Sequence, residues 1–325
     1  MNKFEHIISA NEEALERQSR SFAVPILRME QRYKLPIMVQ YNLCKTIDTI
    51  EDSVQLSNGE KVDLINEVCI ELKKNRASEH VIQEMLKVTP EDESFVFTNY
   101  HSIVALFNSL SEVEQQIGMK YLDEMAFGMA DFVEKDIQTL NDLNQYCYYV
   151  AGTVGIYLTE LLQILSNGID NAQLEKMKQN GIHFGLFLQK LNIIRDFRSD
   201  YTIRERHFWP NEYFNNVKDN GVVLEKMCEE TINNDIEAAL RYCQAIPPGS
   251  DSFDFFIRYI LKSGIKYMDI LRGNFRIFLA EKVKLSRKFV SGLYDDVADQ
   301  SRQQFLDEMN DELAKLKNNY RSAKV

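Results

Sequence analysis

The sequence predicts an all-α protein, and three observations carry that prediction. Gly and Pro are scarce, 13 and 6 in 325 residues, so few tight turns interrupt the chain; an average protein has about twice that share. Hydrophobic residues make up 45% of the chain and recur at the three-and-four spacing of helix faces. The Asn-Gly breaks lack flanking alternating patterns, so they separate helices instead of closing hairpins. All-β and Gly-rich dinucleotide folds are thereby disfavoured.

Taken in chain order, Pro36 reads as a first-turn proline opening a helix that runs to about Val54. Ser57-Asn58-Gly59 breaks the chain there. Thr89-Pro90-Glu91-Asp92-Glu93 combines a cap, a proline and acids at the positive end of the helix dipole, which marks a helix start. Further breaks fall at Ser166-Asn167-Gly168, Asp219-Asn220-Gly221 and Pro247-Pro248-Gly249. No repeat, low-complexity linker or composition shift divides the chain, so residues 1–325 read as a single domain of about ten or more helices.

Charge and cysteine usage narrow the function classes. With 38 Lys+Arg against 49 Asp+Glu, net −11, the chain lacks the net basic face of a general nucleic-acid binder. Cys44, Cys69, Cys147, Cys228 and Cys243 are dispersed without a C-x-x-C pair. They read as reduced thiols of a cytoplasmic protein, not a disulfide framework or a zinc site. The N-terminus, Met1 to Glu5, has no long apolar run and is no signal peptide. The longest weakly polar stretch, Tyr146 to Leu158, falls short of the about 20 residues that span a bilayer.

Two acidic constellations stand out. Tyr41, Lys45, Asp48 and Asp52 are spaced 4, 3 and 4, which puts them in one stripe of a helix, with Glu51 beside them and Leu43, Ile47, Ile50 and Val54 opposite. Gln189, Asn192, Asp196 and Asp200 are spaced 3, 4 and 4, in a helix whose apolar circumference predicts burial. Carboxylates one turn apart repel unless a cation neutralises them. Oxygen donors of this kind suit Mg²⁺, which keeps several waters and bridges to substrate phosphates. One such motif alone is more often a solvated acidic face; two, one of them on an apolar helix, favour Mg²⁺-diphosphate chemistry. A di-iron carboxylate bundle would need Glu-x-x-His pairs, which are missing.

Arg195, Arg198, Arg204 and Arg206 follow, then Phe208-Trp209-Pro210. Guanidinium forks suit phosphate oxygens, although surface salt bridging explains Arg198 and Arg204 equally well. The allylic cation left by a departing diphosphate needs an apolar cavity that excludes water. The 19 Phe and 15 Tyr could line one, though aromatics at helical spacing are ordinarily core.

These residues resemble the squalene synthase family. Ser19-Arg20-Ser21-Phe22 is similar to its flexible substrate-binding segment, and Asp48-Thr49-Ile50-Glu51-Asp52 to its first aspartate-rich motif, Asp-x-x-Glu-Asp. Gly128 to Phe132 and Tyr146 to Gly155 resemble its central helices. Phe187 to Lys190, Asn192 to Asp196, Asp200 and Arg206-His207-Phe208-Trp209-Pro210 resemble the second motif and its exit. The strong blocks cover about residues 19–53 and 124–210, and the likeness thins after about residue 215.

The resemblance implies an isoprenoid synthase helical bundle around a central apolar cavity. It implies two Mg²⁺-dependent half-reactions on two molecules of farnesyl diphosphate: condensation to presqualene diphosphate, then rearrangement with hydride from NADPH to squalene, a sterol or hopanoid precursor. By position, Asp48, Asp52, Asp196 and Asp200 would hold Mg²⁺, with Glu51 supporting. Ser19, Arg20, Ser21, Phe22, Tyr41, Lys45, Gln189 and Arg206 would contact substrate. Tyr146 would serve the first half-reaction by proton transfer or cation stabilisation, with Tyr41 and Phe255 also at the reacting centre. Asn192, Arg195, Lys284, Arg287 and Lys288 would serve the NADPH side.

The sequence departs from the family in four places. Lys45 replaces the usual Arg, keeping charge but losing the bidentate fork. Ser199 replaces an acid that commonly precedes the last Asp. Phe253-Asp254-Phe255-Phe256 resembles a segment needed for the second half-reaction, but Ile257-Arg258-Tyr259 lacks the expected Pro-containing run. Lys284, Arg287 and Lys288 resemble the NADPH-associated basic segment with one inserted residue, and an ordinary solvated basic stretch would look the same. A sibling that makes dehydrosqualene, phytoene or another prenyl product without reductant therefore stays open. A catalytically dead binding module is disfavoured by the intact motifs. Eukaryotic family members usually carry a membrane anchor after the catalytic domain, whereas this sequence ends at Val325. The expectation is thus a cytoplasmic monomer in peripheral contact with membranes, where it unloads an oily product.

Overall fold

The chain forms helices from its second residue, because Asn2 accepts from the Glu5 amide while Glu5 reaches back to the cap amide, a box that satisfies two orphan donors. The computed structural model describes residues 2–19, 21–166, 168–202, 206–214, 220–271 and 286–322. Among them the regular structure is helical, with no strand. Contacts divide the chain into two compact units, residues 1–135 with 160–165, and residues 136–159 with 166–325.

The first unit contains α1 (Lys3–Gln18), α2 (Ala23–Leu27), α3 (Gln31–Asp52), α4 (Asn58–Lys73), α5 (Glu79–Val88), α6 (Phe95–Thr98), α7 (Tyr100–Phe107) and α8 (Glu112–Glu134). Its centre is α3, packed against α1, α7 and α8. Leu43, Ile47 and Ile50 are fully buried, as the stripe predicts, whereas Val54 lies past the helix end and is exposed. Two amides tie the packing. Asn42 Nδ2 donates to the Asn11 carbonyl at 3.1 Å, and Gln40 Nε2 donates to the Gly118 carbonyl at 3.2 Å.

Several boundaries differ from the sequence expectation, among them Asn220-Gly221, which begin a helix instead of lying in a break. The α3 helix opens at Gln31, and Pro36 sits inside it. The Glu30 carbonyl accepts from both the Tyr33 and Lys34 amides at 2.9 Å, so the first turn is closed before the proline. Pro36 then costs only the one bond to the Arg32 carbonyl. Ser57 caps α4, so Asn58-Gly59 begin a helix instead of lying in a break. The start at Thr89-Pro90 gives a single 3₁₀ turn, Glu91–Glu93, before α6.

The second unit contains α9 (Leu140–Cys147), a π-helical turn Tyr148–Gly152, α10 (Thr153–Leu165, its last turns in the first unit), α11 (Asn171–Thr202), α12 (Asn211–Phe214), α13 (Asn220–Asn234), α14 (Ile236–Gln244), α15 (Asp251–Leu271), α16 (Arg287–Ala298) and α17 (Arg302–Ser322). Gly168 at φ +100° and Gly249 at φ +80° make the breaks before α11 and α15, in the left-handed region that other residues avoid. The backbones of α10 and α11 meet directly. A Cβ on Gly155 would lie 1.9 Å from the Gly181 carbonyl oxygen, and one on Gly185 would lie 2.1 Å from that of Ala151.

Buried ion pairs fix the remaining helices of this unit. Asp235, between α13 and α14, takes Lys190 Nζ at 2.7 Å and His183 Nδ1 at 2.9 Å, so it grips α11 at two points. Arg258 donates to Asp254 at 2.8 Å and to the Val297 and Gln300 carbonyls at 2.8 and 3.0 Å, joining α15 to the end of α16. No helix among the described residues is long and apolar enough to cross a membrane.

The glycine contacts give a stability test. Gly185→Ala should cost about 1–3 kcal/mol or more, because backbone must move to admit the methyl. Gly59→Ala, where a Cβ meets nothing within 4 Å, should not destabilise the protein. Thermal unfolding of the two variants side by side measures the difference, and equal melting temperatures would contradict the close approach.

Candidate active site

The first cluster lies along α3. Lys45 Nζ sits 2.5 Å from Asp48 Oδ2, with both side chains half-buried. Burial opposes the ammonium charge, but the carboxylates of Asp48 and Asp52, aided by Tyr41, outweigh it and push the Lys45 pKa above its ordinary value. Glu51 is buried at 1% exposure, under the half-buried Asp48 and Asp52. The segment before α2 comes to the same place. Ser19 Oγ accepts from the Phe22 amide at 3.0 Å, and the Phe22 ring packs 5.7 Å from that of Tyr41. Ser21 lies in the turn between them; Arg20 lies outside the described residues.

The second cluster is built on α11 and its exit. Asn192 Nδ2 approaches Gln189 Oε1 at 3.5 Å. Arg195 donates to Asp196 Oδ2 through Nη2 at 2.5 Å and Nε at 3.2 Å. Asp200 is buried, and its carbonyl accepts from the Arg206 amide at 2.9 Å, which holds Arg206 at the last turn of the helix. The Arg206 guanidinium then lies 4.7 Å over the Phe208 ring and 5.7 Å over that of Tyr146. Those two rings are 5.0 Å apart, and Tyr146 is almost fully buried. One hydrogen bond and two aromatic faces thus bring Asp200, Arg206 and Tyr146 together, with the cation held by ring quadrupoles.

Phe255 packs in the seam between α15 and α16, 4.8 Å from Tyr294. Arg287 and Lys288 open α16 behind the Ser286 cap, while Lys284 and Arg204 lie outside the described residues. The structure also adds residues that sequence reasoning missed. Tyr201 stacks on His207 at 4.5 Å and on Phe197 at 5.7 Å, walling a small cleft that also touches Asp200 and Arg206. Tyr267 of α15 has a phenol pKa raised by burial, with Arg195 lowering it and Asp196 raising it. It therefore lies within electrostatic reach of that ion pair. No spacing rule joins positions 196 and 267; only the packing of α15 on α11 does.

Among the described residues no three His, Cys, Asp or Glu converge into a metal cage. The donor sets are carboxylate pairs, and each already draws a cation: an ammonium at Asp48 and a guanidinium at Asp196. All-oxygen pairs that attract positive charge fit Mg²⁺, which binds proteins through one or two carboxylates. The thiols do not compete as ligands. Burial, with a smaller push from Asp48 against a hydrogen bond to Gln40, raises the Cys44 thiol to about 12. Burial raises Cys147 to about 12 as well, with Lys190 lowering it and Asp235 raising it.

A raised thiol pKa stabilises the fold below the ordinary thiol range and stops doing so as pH climbs toward 12. The expected result is resistance of Cys147 to iodoacetamide at pH 8 in the native protein, full reaction in denaturant, and falling stability above about pH 9. Rapid native-state alkylation at pH 8 would contradict the burial.

The chain is similar to known proteins. Residues 15–287 match the squalene/phytoene synthase family. The chain is 32% identical over 245 residues to squalene synthase BSS of Botryococcus braunii, covering 71% of this chain and 50% of that protein. It is 28% identical over 228 residues to presqualene diphosphate synthase of the same organism, covering 69% and 52%. The chain thus spans about half the length of these curated relatives. Its backbone is similar to that of TcSQS in complex with a ligand, with a TM-score of 0.81 at 24% identity over 95% of this chain and 92% of that one, which shows the fold. With the family's two acidic motifs in place on an all-helical frame, the chain belongs to the squalene/phytoene synthase family.

Proposed function

We propose that this chain catalyses the Mg²⁺-dependent head-to-head (1′-1) condensation of two farnesyl diphosphates to presqualene diphosphate, and then its NADPH-dependent reductive rearrangement to squalene. The observation that carries this is the pairing, within this family, of carboxylates at one-turn spacing with a cation beside each pair. Asp48, Asp52, Asp196 and Asp200 would hold Mg²⁺, and Glu51 would support the first pair from beneath. Mg²⁺, when bound, neutralises the diphosphate so that it can leave.

The other residues act on substrate directly. Lys45 and Arg206 take diphosphate oxygens, Arg206 with its fork oriented by the Tyr146 and Phe208 rings. Ser19, Arg20, Ser21, Phe22, Tyr41 and Gln189 contact substrate. Tyr146 holds or moves a proton at its phenol oxygen, and its ring face favours a carbocation. The buried aromatic surroundings exclude water that would otherwise quench that cation. Asn192, Arg195, Lys284, Arg287 and Lys288 offer amide, guanidinium and ammonium donors that suit the phosphates of NADPH, the hydride source.

A synthase that stops before reduction is the second reading. It is favoured by the relative named presqualene diphosphate synthase. It is also favoured by Arg258, which stands where the family has a Pro-containing run and is engaged in the ion pair with Asp254.

Incubation with farnesyl diphosphate and Mg²⁺, with and without NADPH, separates the two. Squalene formed only with NADPH is expected, and an identical product in both tubes would sink the reductive step. Asp48→Asn and Asp196→Asn should each lower kcat on the order of a hundredfold; undiminished turnover would refute the metal assignment.

A further inference from the structure

Lys45 is the resident counter-ion of the first carboxylate pair. Its Nζ lies 2.5 Å from Asp48 Oδ2, on the same helix face as Asp52 one turn further on. The second motif repeats the device with a different side chain, Arg195 Nη2 lying 2.5 Å from Asp196 Oδ2. Positive charge favours a half-buried carboxylate pair, and the folded protein supplies its own beside Asp48.

We propose that Lys45 is an exchangeable occupant of the Mg²⁺ position, displaced from Asp48 by the incoming ion and thereby released to bind diphosphate. This rests on the Mg²⁺-diphosphate function proposed above and deepens it. Metal and diphosphate binding are then coupled through one side chain, and the coupling is reciprocal.

The side chain at this position suits such an exchange. An ammonium is a compact point charge with three donors on a flexible four-carbon stem, able to swing from carboxylate to phosphate. A guanidinium at the same place would grip Asp48 through two parallel bonds and yield less readily. Lys45 and Asp48 retain side-chain exposures of 27% and 29%, so the ammonium has room to move and a hydrated ion can approach. No bond is made or broken in the exchange. One cation replaces another on the same oxygens.

The test is Mg²⁺ binding by the full chain without substrate, measured by calorimetry. Lys45→Met should bind Mg²⁺ about tenfold tighter than the unaltered protein, because the competing ammonium is gone, whereas Lys45→Arg should bind it more weakly. A second measurement needs no variant. Competitive acetylation of lysines, read by peptide mass spectrometry against the exposed Lys3, should show Lys45 reacting several-fold faster once Mg²⁺ saturates the protein. Mg²⁺ binding that is lost in Asp48→Asn but indifferent to Lys45→Met, with unchanged Lys45 acetylation, overturns the exchange alone. Mg²⁺ binding that survives Asp48→Asn overturns the metal assignment, and the exchange with it.

Discussion

Aspartates set one helical turn apart repel each other, and the two site helices are arranged around neutralising that repulsion. On α3 the charge is met by Lys45 three residues before Asp48; on α11 it is met by Arg195 next to Asp196. Both cations come from the same helix as the acids they serve, Lys45 at the i,i+3 spacing where helix neighbours meet and Arg195 from the adjacent position.

Rigid platforms are what make such clusters useful. Below Asp48 and Asp52, α3 is buried on the side of Leu43, Ile47 and Ile50 and tied by Asn42 and Gln40 to neighbouring backbone. The α11 platform is set by a different device. Its glycines allow direct backbone contact with the 151–155 stretch, and Asp235 pins it at His183 and Lys190. Elements held this firmly fix where the backbone presents its side chains. The π-helical turn at Tyr148–Gly152 lies between Tyr146 and the glycine contact, a place where such turns re-aim functional side chains.

Arg206 shows how a loop residue acquires comparable precision. The backbone bond to Asp200 sets where the residue sits, and the rings of Phe208 and Tyr146 set where its guanidinium points. That arrangement differs from Arg258, whose guanidinium is engaged by Asp254 and two carbonyls. Arg258 thus serves to fasten helices together, through charge and planar geometry combined.

The sequence by itself determined the helical class, the carboxylate stripes and the cations beside them, because each depends on spacings within one helix turn or on composition. It also determined the family, through motifs whose residues are contiguous in the chain. Only the tertiary structure decided that α3 begins before Pro36, since helix entry depended on the Glu30 carbonyl and not on the proline. It alone brought Tyr146 to Arg206, Tyr267 to the Arg195–Asp196 pair and Asp235 to Lys190. Those pairings span tens of residues with no local period, and they are selected by which apolar faces and glycine backbones fit together. Periodicity reports the face a residue occupies; packing alone reports what that face meets.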